Sequence, residues 1–490
     1  MRERARSVDD GRGGDKPRPY GIIEEEDEAG LAVLPSARMS HGHAALAMEL
    51  PSPGLSVLQR WLTRVAALGV LAHALFLPIS IAGMQIGLGF AAGALVALRL
   101  TGRRVWARSA LDIPCLLLSG AAVASLGLGA LAGSLPVGWH EATLWRSILS
   151  PIVVLCALEV ARGRPGEEDP TAVNRLALAA LGVWAVASLL PSAIAWAQFW
   201  TGFDPLHALG LRKTAVQAVV PVYKGHFAAV GFFRWYQRLA HNLIPPLCVA
   251  AAVALQGKTT PRLRALLGLA SLAAAAAVVL SMSRLAWGSL VLAALVLAVL
   301  GARVRRRAVA FVLVASMAML LHPGVRVRLG NLAQPGINHD RDDIWSICRA
   351  IVERYPLTGV GWGNLPRRTA AYYDRIPYPL PRAWCHDSFF TAWAEGGPLL
   401  FLALLGFWAL LLRGFWRWRR AGSDDLARAA ATGALAALVA MLANSLAHDI
   451  LYSSEAMYGL GFALAVAAAL ARRDSQESVR PAAGVCSDGL

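Results

Sequence analysis

Residues 265–301 read ALLGLASLAAAAAVVLSMSRLAWGSLVLAALVLAVLG, two long apolar runs joined at Ser281-Met282-Ser283-Arg284 with Arg284 as the single charged residue. Each run approaches the roughly 20 residues that a helix needs to cross a bilayer. In water such a stretch would have no polar face to present, so it fixes the class as an integral membrane protein. The whole chain agrees. Of 490 residues 56% are apolar and only 16% charged, against roughly a quarter charged in soluble domains, and the mean hydropathy is +0.50.

Working outward from that stretch, the pattern predicts an all-α polytopic membrane protein of about twelve transmembrane helices. They are placed near 58–78, 81–99, 109–132, 143–161, 176–199, 240–256, 263–281, 285–302, 307–322, 397–413, 426–447 and 455–471. This gives a disordered cytoplasmic tail over 1–56, spans one to nine over 57–322, a large loop over 323–396, spans ten to twelve over 397–472, and a cytoplasmic tail over 473–490. The tail 1–56 is polar, with an acidic run at Glu24–Asp27, and lacks apolar periodicity. The first apolar run begins too far from the start for a secretory signal, so it is expected to remain as a span.

The net charge of +16 is almost all arginine, since Lys16, Lys213, Lys224 and Lys258 are the only lysines. Short cytoplasmic loops collect such residues. Arg99, Arg103, Arg104 and Arg108, then Arg162, Arg164 and Arg175, Lys258, Arg262 and Arg264, Arg303 and Arg305–Arg307, Arg413, Arg417, Arg419 and Arg420, and finally Arg472 and Arg473 all fall on one side of the predicted bundle. The opposite connections 133–142 and 448–454 have no Arg or Lys. Both termini are therefore expected in the cytoplasm. The basic residues are accounted for by topology, and nucleic acid is not an expected partner.

Two outer segments depart from this rule. Segment 201–239 has Arg212, Lys213, Lys224, Arg234 and Arg238 against Asp204, a net +4. Segment 323–387 has nine arginines (Arg326, Arg328, Arg341, Arg349, Arg354, Arg367, Arg368, Arg375, Arg382) against six acids. Long loops translocate whatever their charge, so plain solvation is one account. The other is an anionic ligand, for which the arginine fork suits phosphate oxygens. Arg284, between two apolar runs, either snorkels or serves a site.

Within the large loop, Asp342-Asp343 before Ile344, Ile347 and Ile351 reads as an N-capped amphipathic helix on the membrane surface, ending at Pro356. Gly359, Gly361 and Gly363 then allow a tight turn; no strand precedes it, which rejects a dinucleotide site. His386 stands at the start of a short segment that Gly396-Gly397-Pro398 separates from the tenth span. It is either a satisfied interfacial side chain or a base matched to neutral pH, with Asp387 beside it. Asp340-x-Asp342 would suit a divalent cation, although helix capping accounts for it as well. Six scattered cysteines form no metal motif. Cys348 and Cys385 could pair if both face an oxidising compartment; free buried thiols are the other reading.

The order SMSRLAWGSL (281–290), RDDIW (341–345), AIVERYPLTGVGWGN (350–364) and HDSFFTAWAEGGPLLFLALLG (386–406) resembles the O-antigen ligases and the related O-antigen polymerases. The resemblance implies a glycosyltransferase of the bacterial inner membrane with a periplasmic active site. It would move a glycan from undecaprenyl diphosphate to an acceptor sugar hydroxyl, lipid A-core in the ligases, with inversion and without metal or other cofactor. By this resemblance His386 corresponds to the base and Arg284 to a diphosphate ligand, with Arg341 ahead of the family's Ile-Trp. A second arginine expected near 224–242 is replaced by Ala228, leaving Arg234 or Arg238 as substitutes. Asp387 stands where the family often has Asn and would support the histidine. The expected partners are the lipid-linked glycan, the glycan acceptor and membrane lipid. A polymerase is the alternative within the family. A transporter or flippase is disfavoured, because the polar residues gather at the outer boundary rather than at mid-membrane.

Overall fold

The computed structural model of the protein describes residues 56–106, 108–131, 133, 144–163, 169–212, 227–301, 323–330, 339–373, 384–422 and 424–471. Apart from Ser56, the expected tail 1–56, the expected ninth span at 307–322 and the tail 473–490 lie outside these residues. In chain order the main helices are α1 (Val57–Phe76), α2 (Ile81–Leu100), α3 (Asp112–Leu131), α4 (Ser150–Glu159, flanked by 3₁₀ turns), α5 (Pro170–Thr201) and α6 (Tyr236–Gln256). They continue with α7 (Pro261–Leu280), α8 (Arg284–Leu300), α9 (His339–Arg354), α10 (Ser388–Ala421), α11 (Asp425–Ser445) and α12 (Ser454–Ala471). Among the described residues nine helices are long and apolar enough to cross a membrane, and the apolar α8 is shorter. The protein is an all-α, multi-pass membrane protein.

Helix starts follow local chemistry. Ser56 and Gln59 form a capping box at α1, and the side chains of Ser80, Asp169, Thr260, Asp387 and Asp424 cap α2, α5, α7, α10 and α11. In hydrocarbon the helices gain nothing by hiding apolar surface from water, so they associate through close backbone contact at small residues. The central helix α12, rich in Ala and Gly, is buried at every position from Glu455 to Ala471, among α4, α5, α6 and α11. At Gly433 of α11 a side chain would begin 2.6 Å from the Val249 Cα of α6.

The large loop is folded onto one end of this bundle. The apolar face of α9 (Ile344, Ile347, Cys348, Ile351) packs on Val360, Leu365, Cys385 and Ala394. This corrects the expectation of a helix lying on the membrane surface, because its apolar stripe is covered by protein. The capping expectation also changes: α9 begins at His339, so Asp342 and Asp343 sit inside its first turns, where their charge still favours the helix dipole. Cys348 and Cys385 are joined as a disulfide with Cα atoms 6.0 Å apart, while Cys115, Cys156 and Cys248 are buried and take no part in it.

The glycine turn docks on α10 at its break. Gly359, Gly361 and Gly363 all have positive φ, and a side chain at Gly361 would collide with Asn364 and approach the Gly129 Cα to 3.2 Å. The Val360 and Gly361 N–H groups donate to the Ala394 and Glu395 carbonyls (3.0 and 2.7 Å). The Gly363 and Leu365 N–H groups donate to the two Glu395 carboxyl oxygens (2.7 and 3.1 Å). Two residues later, Gly397 takes φ 60° and interrupts the helical backbone of α10. The expected break before the tenth span is therefore a kink within one long helix.

Two glycine positions and one buried acid test this packing by thermal unfolding of the detergent-solubilised protein. Gly433→Leu should cost about 1–3 kcal/mol through overpacking. Gly93→Leu should leave the midpoint unchanged, because a Cβ added at Gly93 would have nothing within 4 Å. Glu395→Ala strands two buried N–H donors and should cost about 2–4 kcal/mol. Glu395→Gln keeps one acceptor oxygen and should lose less.

Candidate functional site

The site assembles around the connection between α11 and α12, residues 446–453. His386, in the extended entry to α10, has φ 52°, a left-handed conformation that costs a non-glycine residue of order 1–3 kcal/mol. The Asp449 carboxylate holds it there: Oδ2 accepts from the His386 N–H at 2.9 Å, and Oδ1 accepts from the Thr391 hydroxyl at 2.5 Å. The same Oδ2 lies 3.7 Å from His386 Nδ1. Ser388 donates its hydroxyl to the His448 carbonyl (2.8 Å) and accepts from the Ile450 N–H (2.9 Å). Sequence reasoning passed over Asp449, reading this connection only for its lack of Arg and Lys. One acid, Asp449, in a short span-flanking loop with no Arg or Lys was the available signal.

The electrostatics follow from burial. Desolvation lowers the His386 pKa, and the Arg341 guanidinium lowers it further, so the ring is neutral at neutral pH. Burial pushes Asp449 up to about 7. Burial also raises Asp387, whose Oδ1 accepts from the Phe389 and Phe390 N–H groups (2.8 and 2.9 Å) as the cap of α10. The carboxylate that faces the imidazole is thus Asp449, while Asp387 orients the helix that follows. His448, held well below its usual pKa mainly by desolvation, lies with its ring 5.1 Å from that of His241.

Arg341 stands on the first turn of α9 and reaches the Ala447 carbonyl at 3.4 Å, which brings it to the same connection as His386. Arg284 is the first residue of α8, preceded by Met282 at φ 59°. Met282 and His386 are the two non-glycine residues with positive φ among the described residues, and each lies within two residues of, or at, a candidate. Strain of this kind concentrates where function constrains the backbone. Ala228 is buried against Met282, Trp287, Phe199 and Val325, so the position expected to carry an arginine adjoins the turn that leads into Arg284. α8 is fastened to α11 by the Asn444 amide on the Ser289 hydroxyl (2.7 Å), placing its N-terminal end at the end of the bundle where α11 runs into Asp449.

The other arginines separate. Arg238 is paired with Glu455 at 2.6 Å. Arg234 is exposed at the turn before α6. Arg212 is tied to Asp204 at 2.6 Å and to the Gly231 and Phe233 carbonyls, so its charge serves the fold. Lys213, Lys224, Arg375 and Arg382 lie outside the described residues. Asp342, of the suspected cation pair, is exposed in a cavity with Trp345, Arg349 and Glu353.

At the opposite end of the bundle, Arg103 is buried and donates to the Thr63 hydroxyl and the Val160 and Gly163 carbonyls. One of the arginines expected to serve topology therefore also holds α1, α2 and α4 together.

Among curated proteins none matches the chain. Residues 269–405, which run from the middle of α7 through Arg284, Arg341, the glycine turn and His386 into α10, match the family model described as O-antigen ligase. This segment, which contains the strained histidine together with Arg284 and Arg341, is thus similar to the O-antigen ligase family.

Proposed function

We propose that the protein is a ligase-type glycosyltransferase that moves a glycan from undecaprenyl diphosphate to a sugar hydroxyl of lipid A-core on the periplasmic face of the bacterial inner membrane. The observation that carries this reading is the neutral His386 held by Asp449 beside Arg341. An acceptor hydroxyl must lose a proton as it attacks the anomeric carbon, and imidazole takes it at neutral pH. The carboxylate 3.7 Å away stabilises the imidazolium that forms. Negative charge builds meanwhile on the departing diphosphate, and arginines fixed at the membrane surface stabilise it. Arg284 and Arg341 are assigned that role, with Arg234 at the margin; Arg238 contributes less because Glu455 already pairs with it. Direct attack by the acceptor, with one base and an already activated donor, inverts the anomeric centre and calls for no ATP.

The supply of arginine charge to the leaving group also makes the reaction independent of metal. Transfer should persist in EDTA, and rescue of a lost activity by Mg²⁺ or Mn²⁺ would return Asp342 to consideration as a ligand. The deciding assay uses purified protein with lipid-linked glycan, with and without lipid A-core. A product that forms only with lipid A-core supports the ligase. Elongation of the lipid-linked glycan in its absence supports the polymerase, which would use the same donor site.

In that assay His386→Ala should reduce turnover by at least about 100-fold at unchanged protein level. Arg284→Ala should raise the donor KM more than Arg284→Lys, which keeps the charge but loses the fork. The pH profile tests the dyad. Asp449 ionises at about 7 and His386 below its usual value, and both must be deprotonated for base catalysis. Activity should therefore rise with pH through about 7 and be lost as pH falls. Asp449→Asn should remove that limb, leave the lower one, and reduce kcat by about 10–100-fold. A profile unchanged by Asp449→Asn would refute the assignment.

A further inference from the structure

We propose that the exposed face of α9 around Trp345 is a sugar-binding subsite that receives the acceptor glycan beside His386. The proposal rests on the glycosyl-transfer reading and adds to it the residue that recognises the acceptor. Trp345 is 38% exposed, yet its indole is not loose. The indole N–H donates to the Cys385 carbonyl at 2.9 Å, and that carbonyl belongs to the peptide group that leads into His386. One turn further along α9, Cys348 is bonded to the same Cys385. The ring is thus fixed beside the candidate base while more than a third of the residue stays exposed.

Trp345 lines a cavity of about 310 Å³ together with Asp342, Ser346, Arg349 and Glu353, a size at the lower end of small-molecule sites. A pyranose ring has a C–H face that lies flat on an aromatic ring and a rim of hydroxyls that donate and accept hydrogen bonds. An indole flanked by two carboxylates and a guanidinium offers partners for both. The same carboxylates argue against a phosphate, which they would repel. They also argue against a membrane-anchoring tryptophan, which sits among apolar neighbours and lipid. A bound sugar on Trp345 lies next to the peptide group of His386, and the sugar whose hydroxyl His386 deprotonates is the acceptor.

The test uses the full-length protein in nanodiscs and two soluble probes, the oligosaccharide released from lipid A-core and that of one O-antigen repeat unit, with binding followed by saturation-transfer NMR. Wild type should bind one of them, Trp345→Ala should weaken that binding at least about fivefold, and Trp345→Phe should largely restore it. Phe keeps the stacking face but lacks the N–H, so a Phe variant as poor as Ala would show that Trp345 only holds Cys385 and would overturn the subsite. Equal binding by Trp345→Ala and wild type, or binding of neither probe, would overturn it too. In turnover the acceptor KM should rise in Trp345→Ala with the donor KM unchanged; a rise confined to the donor KM would overturn the acceptor assignment. Binding of the repeat-unit probe alone would leave the subsite standing and remove the lipid A-core reading.

Discussion

The carboxyl group of Glu395 is fully buried and takes the backbone N–H groups of Gly363 and Leu365 on its two oxygens. These donors have no helix or strand to satisfy them, and buried without a partner each would cost on the order of 1–3 kcal/mol. Their pairing with a side chain of α10 is what allows a glycine turn to be buried in the end of a membrane bundle. The kink at Gly397 belongs to the same contact, since a side chain there would meet the Leu357 carbonyl. The Tyr452 hydroxyl and the Trp384 indole lie against the same carboxyl, and the Tyr452 ring is stacked between Trp362 and Trp384 at 4.6 and 5.4 Å. Glycine turn, α10 and the α11–α12 connection are therefore joined in one contact network.

That network fixes the geometry of the histidine. Asp449 and Tyr452 lie three residues apart on the connection. Tyr452 is wedged by the aromatic stack, and Asp449 then presents its carboxylate to the His386 backbone and ring. A left-handed histidine persists only when its surroundings outweigh the local cost. Here the bond to Asp449, the Thr391 hydroxyl on the other oxygen, and the disulfide at the preceding residue supply that excess. The disulfide also connects Cys385 to α9, so Arg341 and Trp345 are carried on a helix pinned to the residue beside His386.

Much of this was legible in the sequence. Long uncharged runs such as 265–280 report spans directly, because no soluble alternative exists for them. The glycines of 359–363 signalled a tight turn, and His386 stood out through its neighbours. The limits were physical as well. Ile344, Ile347 and Ile351 mark an apolar stripe without saying whether lipid or protein covers it, and Val360, Leu365 and Ala394 do. Asp387 adjoins His386 in sequence, but in an extended entry to a helix its carboxylate turns to the N–H groups of Phe389 and Phe390. The acid that reaches the ring comes from Asp449, 63 residues away, and such a pairing has no local pattern.

The arginine surplus of segments 201–239 and 323–387 changes meaning once partners are assigned. A guanidinium already within 2.6 Å of a buried carboxylate, as at Arg212 with Asp204 or Arg238 with Glu455, presents little net field to an incoming anion. Its removal would instead expose an uncompensated acid. Raw charge in 201–239 therefore overstates the capacity of that segment for phosphate. Arg341 differs: its charge acts on Asp387, which burial raises, and it reaches the connection on which burial pushes Asp449 up to about 7. Its charge is felt at His386 and His448. Burial around His386 strengthens the field of that guanidinium, which favours negative charge beside it. The same field adds to desolvation in favouring the neutral His386 ring.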